Sequence, residues 1–341
     1  MAPMAKALLL LALAASQAVA QNAKTTRELF EVDFSTNARG GCQYVGETAM
    51  DSYVADSLTL ALSGVQLMND YANGGNPEAE RLVHALFKGS RRTDRTRVRE
   101  SFEAVRDFLQ GSRTLPDGKP FLFCNSNWLQ RWTMNDPVRD PRGNPIPNPN
   151  TGGPVLIRDV PDLAQQQRDA TRALRMQAFP YWSLKHNQYL FDQGYPNPAV
   201  GYCSDPQNQG VTQDIILPPS ITLCEIVFDV RRGIRGVQPN PLRKQDVDAG
   251  RVNSAQQIGD VLPTATTLFH ELFHLVLGSW DTKPPSGEQY RFSDAIRLTV
   301  ATSAQNPESF AFAAVAYDYT MNAGEVGGFR VEFYTGYTTQ G

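Results

Sequence analysis

Apolar residues recur at three- and four-residue spacing through the stretch Glu47 to Gln110, where Met50, Val54, Leu58, Ala61 and Val65 share one face. A second amphipathic run covers Glu78 to Phe87, and a third covers Thr93 to Gln110 with Val98, Phe102, Val105 and Leu109 together. This spacing predicts a helical N-terminal region. From Pro120 to Arg232 the pattern changes, and the short runs Phe121 to Cys124 and Cys224 to Phe228 predict strands. Between them, Asp136 to Pro154 is dense in Pro, Gly and Asn and predicts an exposed loop. Helical periodicity returns from Asp260, and Thr264 to Leu277 predicts a helix that opens after Pro263 with threonines able to cap it and stops at Gly278. The predicted fold class is α+β: N-terminal helices, a small mixed sheet, and C-terminal helices.

Composition narrows the function. The 341 residues carry 32 Lys and Arg against 35 Asp and Glu, a net charge of −3 that leaves no basic footprint for nucleic acid or an anionic membrane. The arginine cluster Arg91, Arg92, Arg95, Arg97 and Arg99 reads as a solvated helix start, since acidic residues surround it. Arg91-Arg92 is also a dibasic pair where a propeptide could be cut, but intact maturation is favoured, because a cut there separates Cys42 and its helices from the rest unless a disulfide holds them. Residues 1–20 have the form of a secretory signal peptide: Lys6, an apolar run from Ala7 to Ala15, and the small-x-small site Ala18-Val19-Ala20. The remaining chain, 21–341, is expected to form one domain, secreted and extracellular. All four cysteines, Cys42, Cys124, Cys203 and Cys224, then meet an oxidising compartment and predict two disulfides. Three pairings are possible, and Cys203–Cys224 is favoured because it closes the shortest loop.

The chemistry is carried by His270-Glu271-Leu272-Phe273-His274. Positions four apart lie one above the other on a helix, so His270 and His274 project side by side and can bind one Zn²⁺ through nitrogen. Glu271 follows the first ligand, where it can take a proton from water as general base. With only four histidines in the chain, this spacing is improbable by chance, and two buried imidazoles beside a carboxylate require something to satisfy them. Neither His84 nor His186 lies nearby, so the third ligand is expected to be a carboxylate. The downstream acids are Asp281, Glu288, Asp294 and Glu308. Asp294 and Glu308 each fit the first turn of a helix, Ala295 to Ala301 in the first case and the one after Asn306-Pro307 in the second. Asp281 and Glu288 lie in the loop Ser279 to Arg291.

The run from Tyr290 to Leu298, followed by Asn306-Pro307-Glu308-Ser309-Phe310-Ala311, resembles the C-terminal half of deuterolysin and the fungal peptidyl-Lys metalloendopeptidases, the aspzincin family. The resemblance covers about Pro263 to Tyr319, with a looser match around Cys124 and Cys224. It implies a zincin-like fold, one catalytic zinc ion, a third ligand from an Asp in a Gly-Thr-x-Asp-x-x-Tyr-Gly loop, and a Tyr that stabilises the oxyanion. Tyr290 takes the position of that tyrosine. Here the sequence departs from the family, because the alignment puts Gly287 where the ligand Asp belongs. Glu288 is one residue nearer the tyrosine and one methylene longer, and it is favoured over Asp281.

The expected function is therefore a secreted zinc metalloendopeptidase with His270, His274 and Glu288 as metal ligands and Glu271 and Tyr290 as catalytic residues. Its expected partner is a protein or peptide substrate, with neither nucleic acid nor membrane, and it is expected to act as a monomer. The altered ligand loop keeps a second expectation open: a zinc-binding protein of the same fold without peptidase activity, serving as an interaction module. A zinc hydrolase acting on a non-peptide bond is a third.

Overall fold

The computed structural model describes residues 23–88, 92–228, 255–322 and 331–340. The expected signal peptide, Arg91 of the dibasic pair and Arg232 at the end of the middle stretch lie outside these residues. The chain gathers into two compact units, one comprising residues up to Phe30, Gly46–Pro116 and the chain from Val227 onward, the other Glu31–Val45 and Asp117–Ile226.

The first unit is mostly helical. Helix α1 is the single turn Thr26–Leu29, closed by a reciprocal capping box between Thr25 and Glu28. Helices α2 (Glu47–Asn73), α3 (Pro77–Phe87) and α4 (Arg92–Leu109) match the three amphipathic runs. Asn76 caps α3 by accepting the N–H of Ala79, with Pro77 at the first helical position. The C-terminal part supplies α6 (Thr266–Leu277), the single turns α7 (Phe292–Ala295) and α8 (Val300–Ser303), α9 (Pro307–Asn322), and a two-stranded antiparallel pair, β8 (Val331–Glu332) with β9 (Thr339–Gln340).

Aromatic packing sets where the helices lie. Phe102 on α4 meets Phe273 of α6 and Phe310 of α9 edge-on, at centroid distances of 5.8 and 5.2 Å, and Phe273 and Phe310 stack at 4.5 Å. Helix α2 comes close to this trio at Gly64, where a Cβ would stand 2.3 Å from the Phe102 ring. Only glycine allows that approach.

The second unit, Glu31–Val45 with Asp117–Ile226, holds the sheets and both disulfides. Strands β1 (Glu31–Val32), β2 (Phe121–Phe123) and β7 (Ser220–Leu223) run parallel, and β6 (Gly210–Gln213) adds antiparallel to β7, giving the order β1-β2-β7-β6. A second sheet is an antiparallel meander of β3 (Leu129–Arg131), β4 (Phe179–Ser183) and β5 (Gln188–Asp192). Phe123, Trp128, Tyr181, Leu190 and Tyr202 form one core here. Trp182, Tyr189 and Ile157 form another, against which Leu163 and Leu174 of helix α5 (Pro161–Leu174) pack. Cys42 bonds to Cys124 and Cys203 to Cys224, so the favoured short-loop pairing is the one present.

These elements make a mixed, α+β architecture. Four local expectations change. The strand expected at Cys224–Phe228 lies earlier, at Ser220–Leu223, and Glu225–Val227 is a 3₁₀ turn. All four residues of β7 are buried between β2 and β6, a position closed to the charge of Glu225. Helix α5 falls inside the stretch expected to be strands and loops; none of its residues is fully buried, so its apolar stripe is too thin to read. The helix expected over Ala295–Ala301 is instead α7 and α8, because Thr299 opens a capping box of its own with Thr302. Helix α6 begins at Thr266, and no threonine caps it by accepting an N–H; Thr266 Oγ1 donates back to the Pro263 carbonyl at 2.7 Å. Among the described residues, no helix is long and apolar enough to cross a membrane.

Candidate metal centre

Helix α6 is buried almost throughout, and Leu268, Phe269, Leu272 and Phe273 fix its rotation. The rings of His270 and His274 therefore emerge together, with centroids 5.2 Å apart. Gly278 ends the helix with φ +88°, and the chain turns back so that Thr282 reaches the second histidine. Thr282 Oγ1 donates to the Gly278 carbonyl at 2.8 Å, which leaves it to accept from His274 Nδ1–H at 2.7 Å. His270 Nδ1 stands 2.9 Å from Glu308 Oε2, and a carboxylate only accepts, so this nitrogen also carries its proton.

Both Nε2 atoms consequently turn to the other side, where they meet Glu288. Its Oε2 lies 3.3 Å from His270 Nε2 and 3.4 Å from His274 Nε2. Two neutral imidazoles protonated at Nδ1 would direct lone pairs at an anion. The arrangement holds only with positive charge among the three atoms, supplied by protons on the rings or by a metal cation. Three ligands on a tetrahedron with bonds of roughly 2.1 Å lie about 3.4 Å apart, so the two contacts to Glu288 already have the spacing of a metal's coordination edge. The three ligand atoms all lie within 4.8 Å of one another, and among the described residues no other group of three or more His, Cys, Asp or Glu side chains converges in this way. This buried group can hold a metal ion, and both histidines have the outer hydrogen-bond partners that orient metal ligands.

The electrostatics follow from the same contacts. Burial works against a charged His270, but hydrogen bonds to Glu288 and Glu308 and the charges of Glu271 and Glu308 prevail, raising its pKa to about 10. Burial likewise works against a charged Glu288, yet its bonds to His270 and His274 hold its carboxyl far below the usual range. Tyr290 lies across this pair. Its hydroxyl donates to Glu288 Oε2 at 2.7 Å and its ring stacks near that of His270, with centroids 5.8 Å apart. Burial of the hydroxyl and the charge of Glu288 push its pKa up. The residue is nevertheless 65% exposed, because the outer face of the ring is open to solvent.

The structure thus brings together His270, His274, Glu288, Glu271 and Tyr290 and leaves Asp281 and Asp294 apart. Asp281 is exposed, and its backbone carbonyl accepts from Arg97 at 3.5 Å. Asp294 faces Arg297 at 4.0 Å. Gly287, just before Glu288, makes the turn that brings Glu288 to the histidines. Its φ is +83°, and its N–H turns back to the Pro284 carbonyl at 2.8 Å. That conformation suits glycine and strains an aspartate, and the turn delivers the next residue to the site.

Sequence reading missed two contributors. Glu308 does lie in the first turn of α9, as its position after Asn306-Pro307 indicates, but it also holds His270. Thr282 had no visible role, because a single loop threonine carries no periodicity. The remaining histidines lie away from this site. His186 is buried, donates to the Pro218 carbonyl at 2.8 Å and pairs with Ser183 Oγ at 2.6 Å, and burial lowers its pKa; His84 lies beside the Tyr71 ring. Within the arginine cluster, Arg95 lies over Tyr71 and Arg99 faces Glu103. Comparison of the chain with protein-family models, with curated proteins and with solved structures returns no match.

Proposed function

We propose that the chain is a secreted zinc metalloendopeptidase of the aspzincin type, with a zincin-like fold, that acts on protein or peptide substrates as a monomer. The observation that carries this reading is the convergence of His270 Nε2, His274 Nε2 and Glu288 Oε2 beside Glu271, on a helix whose histidines are fixed from behind by Glu308 and Thr282. Two nitrogens and one carboxylate oxygen match the three-protein-ligand donor set of catalytic zinc. Two disulfides accord with secretion.

Zinc held by His270, His274 and Glu288 would supply Lewis acidity, able to polarise a carbonyl and lower the pKa of water toward about 7. Glu271 takes a proton from the water that adds to the peptide carbonyl carbon, then returns it to the amine nitrogen as the C–N bond breaks. The single proton of the Tyr290 hydroxyl, which points at Glu288 Oε2 here, would turn to the carbonyl oxygen as that oxygen gains negative charge. Glu308 and Thr282 keep both rings in the Nδ1–H form, so that both Nε2 atoms face the metal.

The test is metal analysis of the secreted protein together with cleavage of an unfolded protein substrate, before and after chelation and after zinc is restored. Glu271→Gln should retain zinc and lose cleavage. Activity that survives this substitution overturns the mechanism. Zinc bound without cleavage of any peptide favours the interaction module, and cleavage confined to non-peptide bonds favours a different hydrolase.

A further inference from the structure

The loop bearing Glu288 has few regular hydrogen bonds of its own, so its precision requires an external support. Gln289, between Glu288 and Tyr290, is gripped at both backbone polar groups by one side chain. Its N–H donates to Asn306 Oδ1 at 2.9 Å, and its carbonyl accepts from Asn306 Nδ2 at 3.2 Å. The second Nδ2 hydrogen goes to Ser309 Oγ at 3.0 Å. Asn306 is fully buried, with 0% of its surface exposed, and the backbone groups it meets dictate which way its amide points.

We propose that Asn306 is a positioning residue for the metal centre: it mimics a neighbouring strand at one peptide and so fixes both Glu288 and Tyr290 over the histidines. This inference rests on His270, His274 and Glu288 holding a metal. Helix α9 then braces the site twice within three residues. Asn306 holds the loop that carries the third ligand, and Glu308 holds the first histidine from behind. The clamp also accounts for a side chain whose place before Pro307 otherwise reads only as a helix cap. No other side chain meets the same demands. Aspartate has the shape but would set an oxygen against the Gln289 carbonyl and lose the donor to Ser309. Alanine leaves a buried N–H and C=O without these partners.

The experiment measures zinc affinity of the full-length protein by chelator competition, with thermal unfolding of each metal-free variant recorded separately. Asn306→Asp and Asn306→Ala should weaken zinc binding about 10- to 100-fold, the range for lost outer-shell support. In a Glu288→Ala background, Asn306→Asp should produce no further loss, because the ligand through which it acts is gone. Ser309→Ala should remain within about 2-fold of the parent affinity, since it leaves both bonds to Gln289 in place. Unchanged affinity in Asn306→Asp overturns the inference, as does an equal loss with and without Glu288. A parent protein that takes up no zinc at all overturns the metal-centre reading itself, a distinct result. If Asn306→Ala does not fold, the near-isosteric Asn306→Asp still decides the question.

Discussion

Glu308 Oε2 and His270 Nδ1 stand 2.9 Å apart, on the side of the imidazole that faces away from Glu288. The histidine thus lies between two carboxylates, one where a metal would bind and one that fixes its tautomer. Such outer partners typically contribute 10- to 100-fold in metal affinity. Glu308→Ala should weaken zinc binding by about that factor, while Glu308→Gln, which keeps an oxygen acceptor, should recover part of it. Chelator competition reads both, and an affinity equal to the parent's in Glu308→Ala would rule out the supporting role.

In the proposed metal site Glu288 serves as the third ligand, delivered there by the turn at Gly287. Glu288→Ala should lower zinc affinity sharply, and Asp281→Ala should leave it unchanged. Moving the carboxylate one position earlier, with Gly287→Asp in the Glu288→Ala background, should not restore binding. At φ +83° the new side chain is strained, with a cost of about 1 kcal/mol in stability from the backbone alone. Tight zinc binding by that double variant would contradict the proposed register of the loop.

Proton release should accompany metal binding. Without metal, His270 has its pKa raised to about 10, despite burial, by Glu288, Glu308 and Glu271. At neutral pH it therefore carries the proton that a cation must displace. The sign is definite. The group's contribution to metal-free stability is fully present below its unfolded pKa of about 6.5 and is lost as pH rises through about 10. Zinc affinity should change oppositely, rising up to tenfold per pH unit for each proton displaced. Calorimetry at pH 7 in buffers of different ionisation enthalpy should show about one proton released from this site per zinc. An enthalpy that is independent of buffer would refute the exchange.

The parts of this design that were legible in the sequence are those expressed as periodicity. Val98, Phe102, Val105 and Leu109 announce α4, and Leu268 to Val276 announce a helix buried nearly all round with two histidines on one side. Glu288 stood beside Asp281 among the loop acids, and the likeness of its neighbour Tyr290 to a family tyrosine, offset by one residue, favoured it. Thr282 and Asn306 were not legible as site residues, and Glu308, weighed as a ligand, read as a first-turn acid rather than as the support of His270. Each makes one or two directed hydrogen bonds across 8 to 38 residues of sequence, and no local pattern encodes such a partner. Asn306-Pro307-Glu308 reads as a helix start and is one, which hides its second task. Strand β7 was misplaced for a related reason: its neighbours β2 and β6 select Ser220–Leu223, whereas composition favours the run just after it.

Tyr290 has two separable roles, and one substitution distinguishes them. Its hydroxyl donates to Glu288 Oε2 at 2.7 Å, while its ring stacks near His270 with 65% of the residue exposed. Tyr290→Phe keeps the ring and removes the donor. If the hydroxyl serves chiefly the oxygen that gains charge during hydrolysis, zinc affinity should stay within about 3-fold while kcat falls about 100-fold, as for other oxyanion donors. KM should change little, because the lost interaction belongs to the transition state. If the hydroxyl only steadies Glu288, zinc affinity should fall and saturating zinc should restore kcat. The first outcome is expected, since Asn306 holds the adjacent Gln289 peptide and the two histidines meet Glu288 independently of the phenol.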